Sequence, residues 1–211
     1  MKKSDSPKMP FATKQYHTLY FKNLPLYAEN TAKMIDKICK QIFDKFRKKK
    51  ISLVCILRGG LPAGLLVKYW LSKKYRVKCR IIEIMTTPAD GKKKIDKIRL
   101  HNILRNSKNI VFIDGWTATG EVYFVLKNAL KGVKINWIFV TLVDLAKVSD
   151  IYATNKDTLV PWAISTSEQV GFTKVKIDKN GNYHKTTVSN RIGIRTMKLI
   201  KINLNKNFIK K

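Results

Sequence analysis

The stretch NIVFIDGWTATGEVYFVLKNAL, residues 109–130, decides how this chain is read. Five mostly apolar residues run into a single acid, Asp114, and a loop of small and hydroxyl residues follows before a segment with helical spacing. That order predicts a buried strand, a loop at its carboxyl end and a helix. The unpaired N–H groups and dipole of a helix N-terminus favour an anion there, phosphate in particular. Small residues let the backbone approach such a ligand, Thr117 and Thr119 offer hydroxyls, and Gly120 offers positive φ or clearance. Asp114 would repel a phosphate and suits sugar hydroxyls or a metal ion. The combination points to a phosphorylated sugar. The same residues also fit a plain helix cap with Asp114 as a turn acid. The run is neither a Walker loop nor a dinucleotide fingerprint.

A second loop, ILRGGLPAG (56–64), also follows a strand-like run and opens a helix. Arg58 places a cation beside Gly59 and Gly60, whose exposed amides again suit an anion. Two such loops on one sheet would bracket a ribose, with a diphosphate on one and a monophosphate on the other.

Around these loops the chain alternates. Residues 30–47 put Ile35, Ile38, Ile42, Phe43 and Phe46 on one helical stripe. ISLVCIL (51–57) reads as a buried strand, and 61–75 as a helix with Pro62 in its first turn. VKCRIIEIM (77–85) reads as a strand, TTPADGKKK as a polar loop, IDKIRLHNILRN (95–106) as a short helix and INWIFVTLVDLA (135–146) as a further strand. Nearly continuous apolar strands alternating with helices predict an α/β fold, a doubly wound, mainly parallel sheet with helices on both faces. We expect an N-terminal arm over 1–26, the α/β core over 27–150, a hood over 151–200 that closes the carboxyl edge, and a basic tail over 201–211.

Composition sets the outer bounds. With 211 residues, 45% of them apolar, the chain can bury a core. No window approaches 18 uninterrupted apolar residues, and the basic start lacks the apolar stretch of a secretory signal, so we expect a cytoplasmic protein without a membrane span. Cys39, Cys55 and Cys79 form no close pair and suggest neither a disulfide framework nor zinc. The formal charge of +29 raises nucleic acid as a partner. Of the 43 basic residues, 35 are lysines scattered along the chain, which fits non-specific polyanion affinity better than bidentate phosphate recognition.

The two loops together resemble a known family. VFIDGWTATGEV is similar to the phosphoribosyl diphosphate (PRPP) signature of type I phosphoribosyltransferases, and CILRGGLPAG to their pyrophosphate loop, in the same order and about 55 residues apart. DGWTATG further resembles the motif Asp-Gly-Trp-Thr-Gly-Lys-Gly of StiP-like phosphoribosyltransferase-related proteins from bacterial stress and tellurite-resistance operons. LVDLA (142–146) and the segment from 159 to Gly171 are also similar in order and character. The resemblance implies that Asp114 contacts ribose hydroxyls and that Gly115, Trp116, Thr117, Ala118, Thr119 and Gly120 form the PRPP loop. It further implies that Arg58, Gly59 and Gly60 hold the pyrophosphate with Mg²⁺, to which Asp114 contributes at most indirectly. The implied reaction displaces pyrophosphate from C1 of ribose by a base or base-like acceptor, largely through placement and charge neutralisation. A homodimer is expected.

Several residues depart from the pattern or stay open. Gly115 stands where many relatives carry a second acid. Trp116 suits stacking on an acceptor or shielding of the loop. Asp144 suits the acceptor side, a metal or an ordinary turn, and Glu121 complements the helix dipole or assists Asp114. The lysines of TTPADGKKK suit a mobile loop over the diphosphate or a solvated surface. Phe172, Trp162 and Tyr183 suit a stacking wall or core packing. StiP-like proteins are sometimes labelled cysteine proteases, yet Cys55 sits mid-strand, where a thiol is buried and inert, and nothing pairs His184 with it. His17 and His101 are isolated. A rival function is a non-catalytic phosphosugar sensor with a basic nucleic-acid-binding surface.

Overall fold

The computed structural model describes residues 14–47, 49–57, 59–89, 92–156, 158, 174–177, 183–186 and 191–209. In chain order they form α1 (Lys14–Phe46), β1 (Ile51–Leu57), α2 (Gly60–Tyr75), β2 (Cys79–Ala89), β3 (Lys92–Ile95), α3 (Lys97–Arg105) and β4 (Asn109–Thr117). The chain continues with α4 (Glu121–Ala129), β5 (Asn136–Asp144), β6 (Ile151–Thr154), β7 (Lys174–Ile177), β8 (Tyr183–Thr186) and α5 (Arg191–Ile209).

Six strands form one sheet in the order β3-β2-β1-β4-β5-β6, every pairing parallel except β2 with β3. Alternation along the strands divides the core. Ile51 and Leu53 of β1, with Val111 and Ile113 of β4, pack under α1, α2 and α5. Val54 and Ile56, with Ile110 and Phe112, pack under α3 and α4. Both faces are therefore covered, which is why these strands read as unbroken apolar runs. On the first face Trp70 is fully buried, and its indole N–H donates to Asp36 Oδ1 at 2.6 Å. Burial draws the Lys74 ammonium toward lower pKa, but its hydrogen bond and ion pair with the same carboxylate prevail and raise it, so α1 and α2 are tied by charge as well as packing.

The strand order has a consequence for ligands. β1 lies between β2 and β4, so the chain runs to one side after β1 and to the other after β4. The helices leaving those two strands, α2 and α4, cover opposite faces. The carboxyl ends where they part are the usual ligand position in open α/β sheets.

Local differences from the sequence reading have physical reasons. The strand 109–113 continues through Asp114 to Thr117, because Asp114, Trp116 and Thr117 pair with Thr141, Val143 and Asp144. The polar loop TTPADGKKK is largely a hairpin arm: Thr86–Ala89 pairs antiparallel with Lys92–Ile95, beyond the point where β2 leaves β1 at Met85. Pro88 hid it from a reading that treats proline as a strand breaker, a rule that holds for central strands rather than for such an arm. α1 begins at Lys14, well before Asn30. Residues 201–209, read as a tail, are the second half of α5, with Ile200 and Leu204 buried. In the region assigned to the hood, β7 and β8 form a two-stranded antiparallel sheet. Trp162 and Phe172 lie outside the described residues, as do the side chains of Tyr183, His184 and His17.

Glycine contacts supply a test of this packing. A Cβ on Gly60 would stand 2.1 Å from the carbonyl oxygen of Ile113, whereas one on Gly132 would meet nothing within 4 Å and suffer only its positive φ of 79°. Gly60→Ala should cost about 2 kcal/mol or more, and Gly132→Ala about 1 kcal/mol, in urea unfolding. Equal losses would contradict the close approach of α2 to β4.

Candidate functional site

The two loops singled out by sequence meet at the carboxyl ends of β1 and β4. Gly59 is the N-cap of α2, and a Cβ there would lie 3.4 Å from Asp114 Oδ1 and 3.9 Å from the Gly115 amide nitrogen. With Gly60 pressed on the Ile113 carbonyl, the start of α2 rests on the backbone that carries Asp114. A side chain at 60 would push the loops apart, whereas a Cβ at 59 would make ordinary contact with Asp114. Arg58 lies outside the described residues.

Asp114 is half-buried, and its Oδ1 accepts a hydrogen bond from the Gly115 amide at 2.7 Å. That bond orients the carboxylate by a local contact that an asparagine oxygen would also accept. Trp116 lies two residues on, hence on the same side of the strand, and is 38% exposed. It is available to a ligand rather than committed to the core.

The turn into α4 carries the electrostatics. Ala118 and Thr119 are exposed, and Gly120 takes φ 75° and ψ 2° as the N-cap. The amides of Ala118, Thr119 and Gly120 donate to no acceptor among the described residues. The Glu121 amide donates to the Thr119 hydroxyl at 3.4 Å. Three successive unpaired donors at a helix start make an anion cradle, reinforced by the dipole of α4. Thr117 does not add its hydroxyl to this cradle. Its side chain is 5% exposed, and Oγ1 is buried without a hydrogen-bond partner, because residue 117 ends the strand rather than beginning the loop.

Asp144, which suited the acceptor side, a metal or an ordinary turn, holds a local loop. It is fully buried opposite Thr117, and its Oδ2 accepts from the Ser149 amide at 2.6 Å. Thr141 and Ser149 hydroxyls lie 3.0 Å apart, and the Leu145 amide donates to the Thr117 carbonyl at 2.9 Å. These bonds pin residues 145–149, which back the cradle: a Cβ on Gly120 would meet Val148 at 3.1 Å and Ala146 at 3.3 Å. Asp144 thus supports the loop that supports Gly120. Sequence reading missed Ala146, Val148 and Ser149, since nothing in LAKVS marks a supporting wall.

Metal fit follows from the donors. Among the described residues no group of three or more His, Cys, Asp or Glu is arranged to hold a metal ion. Mg²⁺ commonly takes one or two carboxylates and completes its shell with substrate phosphates and water. Asp114 fits an ion that arrives with a diphosphate, not one caged by the protein.

The cysteines stand apart from this site. Cys39 is fully buried on α1, and burial pushes its thiol well above the usual range. Cys55 is buried in β1 facing Gly64, where a Cβ would lie 2.2 Å from its sulfur. Cys79 opens β2 at the opposite sheet edge, its thiol pushed up to about 11, chiefly by burial. His101 is exposed on α3.

Comparison with known proteins places the fold and the family. The structure is similar to the hypoxanthine phosphoribosyltransferase of Trypanosoma cruzi in complex with the product IMP, with a TM-score of 0.51 and 12% identity over 78% of this chain and 91% of that one. The hypoxanthine-guanine phosphoribosyltransferase of Bacillus anthracis gives a TM-score of 0.48 and 17% identity over 64% and 80%. At these identities the likeness is one of fold, the type I phosphoribosyltransferase fold. No curated protein matches the chain. The family model described as tellurite-like stress resistance cysteine protease StiP matches residues 6–192, and with the strand order and paired loops above, this chain belongs to the StiP family.

Proposed function

We propose that the protein is a phosphoribosyltransferase-like enzyme that uses PRPP and Mg²⁺ to place ribose 5-phosphate on a base or base-like acceptor, releasing pyrophosphate. The observation that carries this reading is the juxtaposition of Gly59 and Gly60 with Asp114, followed along the chain by the open amides of 118–120. The amides receive the 5-phosphate, Asp114 takes the ribose hydroxyls, and the start of α2 receives the diphosphate. Arg58 keeps the pyrophosphate role that its motif implies. Mg²⁺, when bound, would neutralise the departing diphosphate. The protein's own part is placement of the two ends of the sugar so that C1 faces an acceptor, for which Trp116 offers a stacking surface. Of the region expected as a hood, 151–200, β6 and α5 belong to the core, and the part between them that carries β7 and β8 would select that acceptor.

The charge of +29 favours a second reading, a phosphosugar sensor that binds nucleic acid without turnover. Acceptor-dependent pyrophosphate release from PRPP separates the two. The protease in the family's description needs a reactive thiolate, whereas burial raises the thiols of Cys39 and Cys79 and Cys55 is buried within β1.

Two outcomes test the enzyme reading. Asp114→Asn should weaken PRPP binding about tenfold or more in calorimetry, since a charge-assisted bond contributes about 1.5–3 kcal/mol. Its unfolding midpoint should stay unchanged, and wild-type affinity in this variant would count against the assignment. Iodoacetamide should label Cys79 of the folded protein only as the pH rises toward about 11, because the thiolate is the reactive form. Rapid labelling of any cysteine at neutral pH would instead support thiol chemistry.

A further inference from the structure

The opposite edge of the sheet has its own chemistry. In an alternating fold every helix-to-strand connection returns to the amino edge, far from the carboxyl ends where the strand-to-helix loops lie. Here these connections are basic. The sequence reads Lys49-Lys50 before β1, Lys78 before β2, Lys108 before β4 and Lys134 before β5, with Arg80 just inside β2 and Arg105 ending α3. No Asp or Glu occurs from Arg76 to Arg80, from Arg105 to Lys108 or from Lys131 to Lys134. Lysines near helix ends also complement the dipole, but about half a charge per end is less than these connections supply.

Shape separates this edge from a merely lysine-rich surface. A cavity of about 760 Å³ lies across the starts of β1, β2 and β4, and five of its eleven lining residues are basic: Lys49, Lys50, Lys78, Arg80 and Lys108. The whole chain has 43 basic residues in 211, so the cavity is enriched about twofold. A second hollow of about 500 Å³ shares Asn106, Ser107 and Lys108 with the first and adds Arg105 and Lys134. Among the described residues neither is lined by an acid.

Arg80 is held in place at the centre. Its Nε donates to Ser52 Oγ at 2.8 Å, and its Nη2 donates to Ser107 Oγ at 2.6 Å and to the Asn106 carbonyl. Ser107 Oγ in turn donates to Ser52 Oγ at 3.0 Å, and both serines are buried. Three neutral oxygens fix the guanidinium without cancelling its charge. A pre-ordered cation loses little entropy on meeting a phosphate.

We propose that this amino edge is a docking groove for the phosphodiester backbone of a nucleic-acid strand, separate from the phosphosugar site and independent of that assignment. The cations follow the strand order β2, β1, β4, β5, three interstrand steps of about 4.8 Å, or roughly 14 Å. Among the described residues no aromatic side chain lines either hollow, so the groove grips the backbone rather than stacking on bases.

The experiment compares two variants of equal charge. One carries Lys50→Gln, Lys78→Gln and Lys108→Gln in the groove. The other carries Lys40→Gln, Lys68→Gln and Lys198→Gln, which are exposed on α1, α2 and α5. Binding of a fluorescent oligouridine of about 20 nucleotides is followed by anisotropy between about 50 and 200 mM salt. The groove variant should lose at least about tenfold in affinity and about 2 in the slope of log K against log salt, the amount expected for three lost phosphate contacts. The helix variant should change by less than about twofold. Equal losses in both variants would overturn the proposal, leaving only the overall charge. So would wild-type binding to phosphatidylglycerol vesicles without binding to the oligonucleotide, since the groove would then serve a membrane surface.

Discussion

One backbone contact organises the candidate site: the start of α2 lies directly on the Ile113 carbonyl of β4, with only hydrogen on the Gly60 α-carbon to permit it. Two strands that are neighbours in the sheet thereby bring their following loops into register. The carboxylate of Asp114 ends up beside Gly59, and the open amides of Ala118, Thr119 and Gly120 lie a few residues further along the same chain. Side chains alone could not bring the loops this close. The absence of a Cβ at 60 is the structural condition for a ligand that spans both loops.

The support behind the anion cradle is equally specific. Gly120 can hold φ 75° without strain, and the wall it rests on is fixed by a buried carboxylate, Asp144, accepting from the Ser149 amide. A rigid cradle leaves its donors aimed before a ligand arrives, which is the preorganisation that electrostatic catalysis and tight anion binding both require. The acid nearest the ligand, Asp114, is separate from the acid that holds the wall. Sequence inspection weighed both for the ligand's side, because both end strands at one edge.

Legibility in the sequence tracked the kind of physics involved. Buried strands such as ISLVCIL announced themselves because both faces of the sheet are covered, and helix starts showed in Pro62 and in the Gly-rich turns. The pairing of the two loops was legible because each motif is local. Long-range effects were not. The hairpin arm through Pro88, the extension of β4 through Thr117 and the support from Val148 all depend on a partner distant in the chain. The burial of Thr117 follows from that extension: once residue 117 pairs with Asp144, its side chain belongs to the sheet and not to the loop. Five of the lysines, read as scattered along the chain, gather at the amino edge only when the returning connections are brought together by the sheet: Lys49, Lys50, Lys78, Lys108 and Lys134.

The central claim is that a sugar phosphate docks on the amides that open α4, with its hydroxyls toward Asp114. Amide chemical shifts measured by NMR during titration with ribose 5-phosphate test it most directly. The account predicts that Ala118, Thr119 and Gly120 move first and furthest, with Gly59 and Gly115 following. Saturable shifts confined to the basic amino edge around Arg80, with residues 118–120 unmoved, would contradict it.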